Sequence, residues 1–186
     1  KACSFRHLPD EPLPKGEARN EPRIVVAHFA RFVVGRWQAF LLSGRGAEAV
    51  QGALAAQAEA TFQSEKKLRE TIKALKPLMR MLRYGTVQEG VLKHLVSLAG
   101  LAAGRRYKEC GEVYMQLTMG QKKWHASHPL AKWQQNHGGS IRKIIKPSEQ
   151  LEYDKDPVTN AYIRAFKRLV QCAQLLFPPA DLSQML

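Results

Sequence analysis

Between residues 65 and 84 two stripes run in the same helical register. Leu68, Ile72, Leu75, Met79 and Leu82 recur every three or four residues, and so do Lys66, Arg69, Lys73, Lys76, Arg80 and Arg83. Such a spacing places each set on one side of an α-helix and the two sets on different sides. A chain carrying this segment must bury one face of a long helix and show a cationic face to solvent or a partner. No acid occurs from Thr71 to Gln88 to neutralise the second stripe. Pro77 lies inside the segment. It removes one backbone donor, so it is expected to kink the helix or mark where its regular part starts.

The same period governs the other apolar segments. From Ile24, the residues Val25, Phe29, Phe32 or Val33, Trp37 and Phe40 form a stripe that Ser43, Gly44 and Gly46 end. A further helix is predicted near 86–103, with Val87, Val91, Leu95, Leu98 and Ala102 inward, and another over about 105–120, with Tyr107, Cys110, Tyr114 and Leu117 on one face. The fifth opens at Asp156-Pro157, where Asp suits the N-cap and Pro the first helical position. Its inner face is Val158, Tyr162, Phe166, Leu169, Ala173 and Leu176, and Pro178-Pro179 ends it. Residues 47–60 are alanine-rich, and their composition fits a short helix and a connection equally. Only Ser140 to Ile145 has the look of a strand, which is too little for a sheet. The expected architecture is all-α, about five helices packed as a bundle around one core, with a long basic loop between helices four and five.

Residues 1–23 hold four of the ten prolines and show little periodicity, so they read as a flexible N-terminal linker. The helical domain is expected over 24–178, and 179–186 as a C-terminal tail. The chain opens on Lys1 rather than Met, which reads as part of a longer protein, and no signal-peptide pattern is seen at that end. No run of 18 or more apolar residues occurs, so no membrane span is expected. Cys3, Cys110 and Cys172 are the only cysteines. An odd, sparse set suits a reducing compartment, and the two on apolar helix faces suit core packing.

The net charge of +13 favours phosphate-rich or acidic partners. Its placement matters more than its total. No acid appears from Val113 to Ser148, while the segment 121–146 carries Lys122, Lys123, Lys132, Arg142, Lys143 and Lys146, with His125, His128 and His137 and with Trp124 and Trp133 among them. Cations interleaved with aromatics suit nucleic acid, the cations for phosphates and the rings for unpaired bases. A solvated basic loop whose tryptophans tuck into the core has the same composition, and composition does not separate the two. The stripe on 66–83 fits contact with RNA or an acidic partner, or a merely solvated face.

Other chemistries lack support. His125 and His128 are three apart, but neither Cys110 nor His137 belongs to a second short pair, so no metal site is expected. The cysteines have no base nearby in sequence, Ser127 and Ser140 lack a G-x-S-x-G context, and Gly138-Gly139-Ser140 is not a phosphate loop. Catalytic residues, cofactors and a small-molecule substrate are therefore not expected.

Four stretches nevertheless resemble a known family. Arg105-Arg106-Tyr107, Tyr114-Met115-Gln116-Leu117 and Gly120-Gln121-Lys122-Lys123-Trp124 are similar to the pre-mRNA-splicing factor 18 family, in which a Tyr-containing helix leads through Y-x-Q-x-x-I-G-N-x-x-W into a long loop. Met119 takes the Ile position and Gln121 the Asn position. Asp156 and Tyr162-Ile163-Arg164-Ala165-Phe166-Lys167-Arg168-Leu169 look like D-E-T-x-R-K-Y-I-Q-x-L-K-R-L, and Phe177-Pro178 like the closing F-P. Leu75-Lys76-Pro77-Leu78-Met79-Arg80-Met81-Leu82-Arg83 is similar to Y-L-K-P-L-F-x-x-L-R, and Phe29 to Leu41 to the first helix. Order and spacing agree across about 24–178, apart from an apparent insertion near 53–65. After the tryptophan the family usually reads P-I-G-V-T-M-V-G-I-H. Here a basic and polar run from His125 to His137 replaces it.

The resemblance implies a five-helix domain in the nucleus that joins the spliceosome for the second transesterification, exon ligation, without being an enzyme. Partners implied are the U5 small nuclear ribonucleoprotein, a second-step factor with a zinc knuckle, pre-mRNA and small nuclear RNA. The loop is implied to face the RNA core, which would give Gln121, Lys122, Lys123, Trp124, His125, Lys132, Trp133, His137, Arg142 and Lys143 as contacts. A helical protein–protein adaptor with a basic surface and no RNA contact is the alternative.

Overall fold

The computed structural model describes residues 8–43, 62–119, 156–179 and 181. Five α-helices occupy most of them: α1 (Pro22–Ser43), α2 (Glu65–Tyr84), α3 (Glu89–Ala103), α4 (Tyr107–Met119) and α5 (Pro157–Leu176). A 3-10 turn, Gly16–Asn20, precedes α1. No strand occurs among the described residues. The all-α reading therefore holds, whereas the long loop between α4 and α5 falls on residues outside those described.

Local chemistry fixes the helix ends. The Ser64 hydroxyl accepts from the Lys67 N–H at 3.4 Å at the start of α2. At its end Gly85 adopts φ +70°, and the N–H groups of Gly85 and Thr86 both reach back to the Met81 carbonyl. Glycine takes this left-handed conformation without steric cost. The same role after α3 falls to Arg105, at φ 58°, with the Arg106 N–H closing onto the Leu101 carbonyl. At α5 the Asp156 carboxylate accepts from the N–H groups of Val158 and Thr159, at 3.0 and 3.1 Å. Pro77 does not break α2, which continues to Tyr84. The carbonyl it leaves without a helical donor is that of exposed Lys73, where water is at hand.

α1 is the hub. It packs on α2, α3 and α5, while α2 also lies on α5, and α3 on α4 and α5. Phe29, Val33 and Trp37 of α1 are buried with Leu75, Leu78, Leu95, Tyr107, Leu117, Tyr162, Phe166 and Leu169. By length and hydropathy alone, 1.2 over its best window, α1 could cross a membrane. Its apolar side is instead the protein core, and Arg23, Arg31 and Arg36 punctuate it. Three buried side chains, Trp37, Tyr107 and Thr71, find partners for their polar atoms. Trp37 Nε1 donates to the Phe62 carbonyl at 2.7 Å, and the Tyr107 hydroxyl reaches the Ala173 and Phe177 carbonyls at 3.1 and 2.8 Å. Thr71, fully buried on α2, donates to the Lys67 carbonyl and accepts from Arg168 of α5.

Three details of the expected faces change. Val158 is 45% exposed, whereas Thr159, Ile163, Ala165, Val170, Cys172 and Leu175 of α5 are buried. α5 touches all four other helices, so its buried surface is wider than one stripe, and Val158 sits in the first turn beyond their cover. Ile72 is half-buried while Thr71 and Leu78 are buried. Tyr114 is half-buried, its ring 4.6 Å from the Lys167 ammonium. Residues 8–21, within the stretch that composition reads as a linker, lie along α1. Leu8 meets Gly35, the His28 ring pairs with the Glu11 carbonyl at 2.9 Å, and Arg36 donates to the Asp10 carbonyl at 2.9 Å.

Candidate RNA and partner interface

The basic stripe of α2 follows from the burial of the opposite face. With Leu68, Leu75, Met79 and Leu82 held in the core, a rotation of about 100° per residue turns the cations outward. All six, Lys66, Arg69, Lys73, Lys76, Arg80 and Arg83, are exposed. The stripe spans 17 steps from Lys66 to Arg83, about 26 Å of helix. Its first turns carry acids: Glu65 pairs with Arg69 at 2.9 Å and Glu70 with Lys67 at 3.5 Å. Among the described residues no carboxylate lies within ion-pair reach of Lys66, Lys73, Lys76 or Arg80. Their spacing sets the six on one side of α2, as helical periodicity requires.

A groove between the start of α1 and the end of α2 continues this surface. Ile24, Ala27, Met79 and Leu82 supply its apolar walls, and Arg23, Arg31 and Arg83 its cationic ones, with the His28 ring beside them and Glu21 the one acid. Glu21 is paired to Arg23 at 3.7 Å. The Nε of Arg31 is buried and has no hydrogen-bond partner among the described residues. Sequence reading missed Arg23, His28 and Arg31 because α1 was scanned for its apolar period. A second scan would have found Arg23, Ala27 and Arg31 at i, i+4 and i+8, on one face. Tyr84, at the end of α2 and 68% exposed, was missed too.

The residues assigned to the loop, Gln121, Lys122, Lys123, Trp124, His125, Lys132, Trp133, His137, Arg142 and Lys143, lie outside the described residues. What the structure describes is the two ends from which that segment departs. α4 is anchored by Tyr107, Cys110 and Leu117, all buried. α5 begins at the capped Asp156, whose carboxyl is held below its ordinary range by the Thr159 hydroxyl and the Val158 N–H. Nucleophile chemistry is not favoured on this framework. Burial pushes the Cys110 thiol up to about 12, and raises Cys172 as well. Burial likewise raises Tyr107 and Tyr162. No group of three or more His, Cys, Asp or Glu suited to a metal ion occurs among the described residues.

Comparison with known families gives a match to the Prp18 domain over residues 27–179. No curated protein and no solved structure matches the chain. The matched span opens within α1 and closes just after α5, so it takes in the packed framework on which the basic face is built. With the motifs of α2, α4 and α5 in order along that framework, the chain belongs to the Prp18-domain family of pre-mRNA splicing factors.

Proposed function

We propose that this chain acts without covalent chemistry of its own in the second transesterification of splicing, holding RNA in position for exon ligation. Positioning alone lowers a barrier when it converts an encounter between mobile groups into a reaction between fixed ones. The observation that supports the reading is a splicing-family framework with six exposed cations on one helix face, four of them without an acid partner among the described residues. Segment 121–146 adds six basic side chains and two tryptophans between the anchored ends of α4 and α5. In this reading that segment meets the RNA core, and the helices carry it. The setting is the nucleus. The partners are the spliceosome with its U5 ribonucleoprotein, a zinc-knuckle second-step factor, pre-mRNA and small nuclear RNA.

The test is in vitro splicing in extract depleted of the endogenous protein, with intermediates and products read separately. Replacing Lys122, Lys123, Arg142 and Lys143 with Ala is expected to slow exon ligation, to spare the first cleavage and to leave thermal unfolding unchanged. Exon ligation at the wild-type rate across a salt series would discard the RNA-positioning role of the segment and favour a basic protein–protein adaptor.

A further inference from the structure

The end of α2 and the start of α1 bring together groups that the sequence keeps some sixty residues apart. Gly85 is where they meet. In its left-handed conformation it has no Cβ, and a Cβ there would lie 2.8 Å from Arg23 Nη1. The Arg23 guanidinium therefore lies against Gly85, the residue that follows Tyr84. The Arg83 guanidinium lies 5.9 Å from the Tyr84 ring centroid, yet the residue stays 68% exposed. Arg31 adds a guanidinium whose buried Nε has no acceptor among the described residues. Leading up to this corner, Lys73, Lys76 and Arg80 line the outer face of α2.

We propose that Lys73, Lys76, Arg80 and the Arg23–Arg31–Arg83 corner form a track for single-stranded RNA, with Tyr84 as the platform on which one base stacks. The track uses no residue of segment 121–146. It shares with the splicing reading the premise that the chain meets RNA.

Two features favour RNA over an acidic protein. Across α2 and this corner only Tyr84 and Ile24 are exposed large apolar side chains, whereas a protein interface needs a larger cluster of desolvated anchors. A single-strand site asks for a line of cations and an aromatic face, which is what this surface offers.

The experiment uses the full chain carrying Lys122→Ala, Lys123→Ala, Arg142→Ala and Lys143→Ala, so that the loop does not mask the second site. The probe is a labelled single-stranded RNA of about twelve nucleotides, followed by fluorescence anisotropy across a salt series. Adding Lys73→Ala, Lys76→Ala and Arg80→Ala is expected to weaken binding and to flatten the slope of log affinity against log salt by about two, at roughly 0.7 per phosphate contact. Tyr84→Leu keeps apolar bulk but removes the π face. It is expected to weaken binding by roughly tenfold, with the salt slope unchanged, while Tyr84→Phe binds as the parent does. All these side chains are exposed, so unfolding temperatures should match.

An unchanged affinity and slope in the triple variant would overturn the track. So would equal binding by Tyr84→Leu and Tyr84→Phe together with a polyglutamate peptide that binds as tightly as the RNA, since that result describes an acidic-protein dock. The readout is direct binding, so it stands or falls independently of exon ligation.

Discussion

At the scale of single residues, the aromatic side chains are the contacts on which the fold depends most. The Phe166 ring is fully buried and lies 5.8 Å from that of Phe29, so one side chain joins α5 to α1. Phe32 stacks on Phe177 at 5.6 Å, and Trp37 meets Phe62 edge-on at 5.0 Å. Phe166→Ala should cost about 3–5 kcal/mol, because a close-packed site cannot collapse around the void. Urea unfolding would show it as a lower midpoint with the slope retained, and a loss below about 1 kcal/mol would mean that the α1–α5 contact is not a core contact. Tyr162 and Phe166 were legible as core from spacing alone. The half-burial of Tyr114 was not, since Lys167, which lies over its ring, belongs to another helix and comes more than fifty residues later.

At the scale of elements, helix existence was written in the period, and helix ends in the capping residues. Asp156 shows both the strength of such a local signal and its chemical consequence. Its carboxylate is stabilised by the Thr159 hydroxyl and by backbone N–H groups, so its folded pKa lies below the ordinary 3.8. A depressed carboxyl contributes stability that is fully present above its unfolded pKa and lost as pH falls through the folded value. Asp156→Asn should therefore melt lower than the parent at neutral pH, with the gap closing as the pH drops below about 4. A gap constant across that range would show that the charge on Asp156 is irrelevant to the cap. Pro77 is the converse case. Its effect depended on whether the orphaned carbonyl faced water, and the packing of α2 settled that.

At the scale of the whole molecule, five helices bury a continuous core around α1 that holds Cys110 and Cys172 as packing residues. Cohesion of this kind needs no metal crosslink. Treatment with a strong chelator is expected to leave the thermal unfolding of the full chain unchanged. A large fall in melting temperature, with zinc released in stoichiometric amount, would contradict the reading of His125 and His128 as non-ligands. The +13 charge gives the molecule a field that attracts phosphate from a distance, and it also makes association sensitive to salt.

The sequence by itself determined that the chain is helical, where most of its helices start and stop, and which side of α2 is cationic. These are properties of residues three or four apart, within the reach of one helix turn. It also carried enough ordered motifs to mark the family. Only the tertiary structure decided that α5 is buried on more than one stripe, that Thr71 is satisfied by Arg168, and that Arg23 and Arg31 line one groove with Arg83. Those facts depend on which helices pack side by side. Packing is set by the mutual fit of whole surfaces from distant parts of the chain, and no local spacing records that fit.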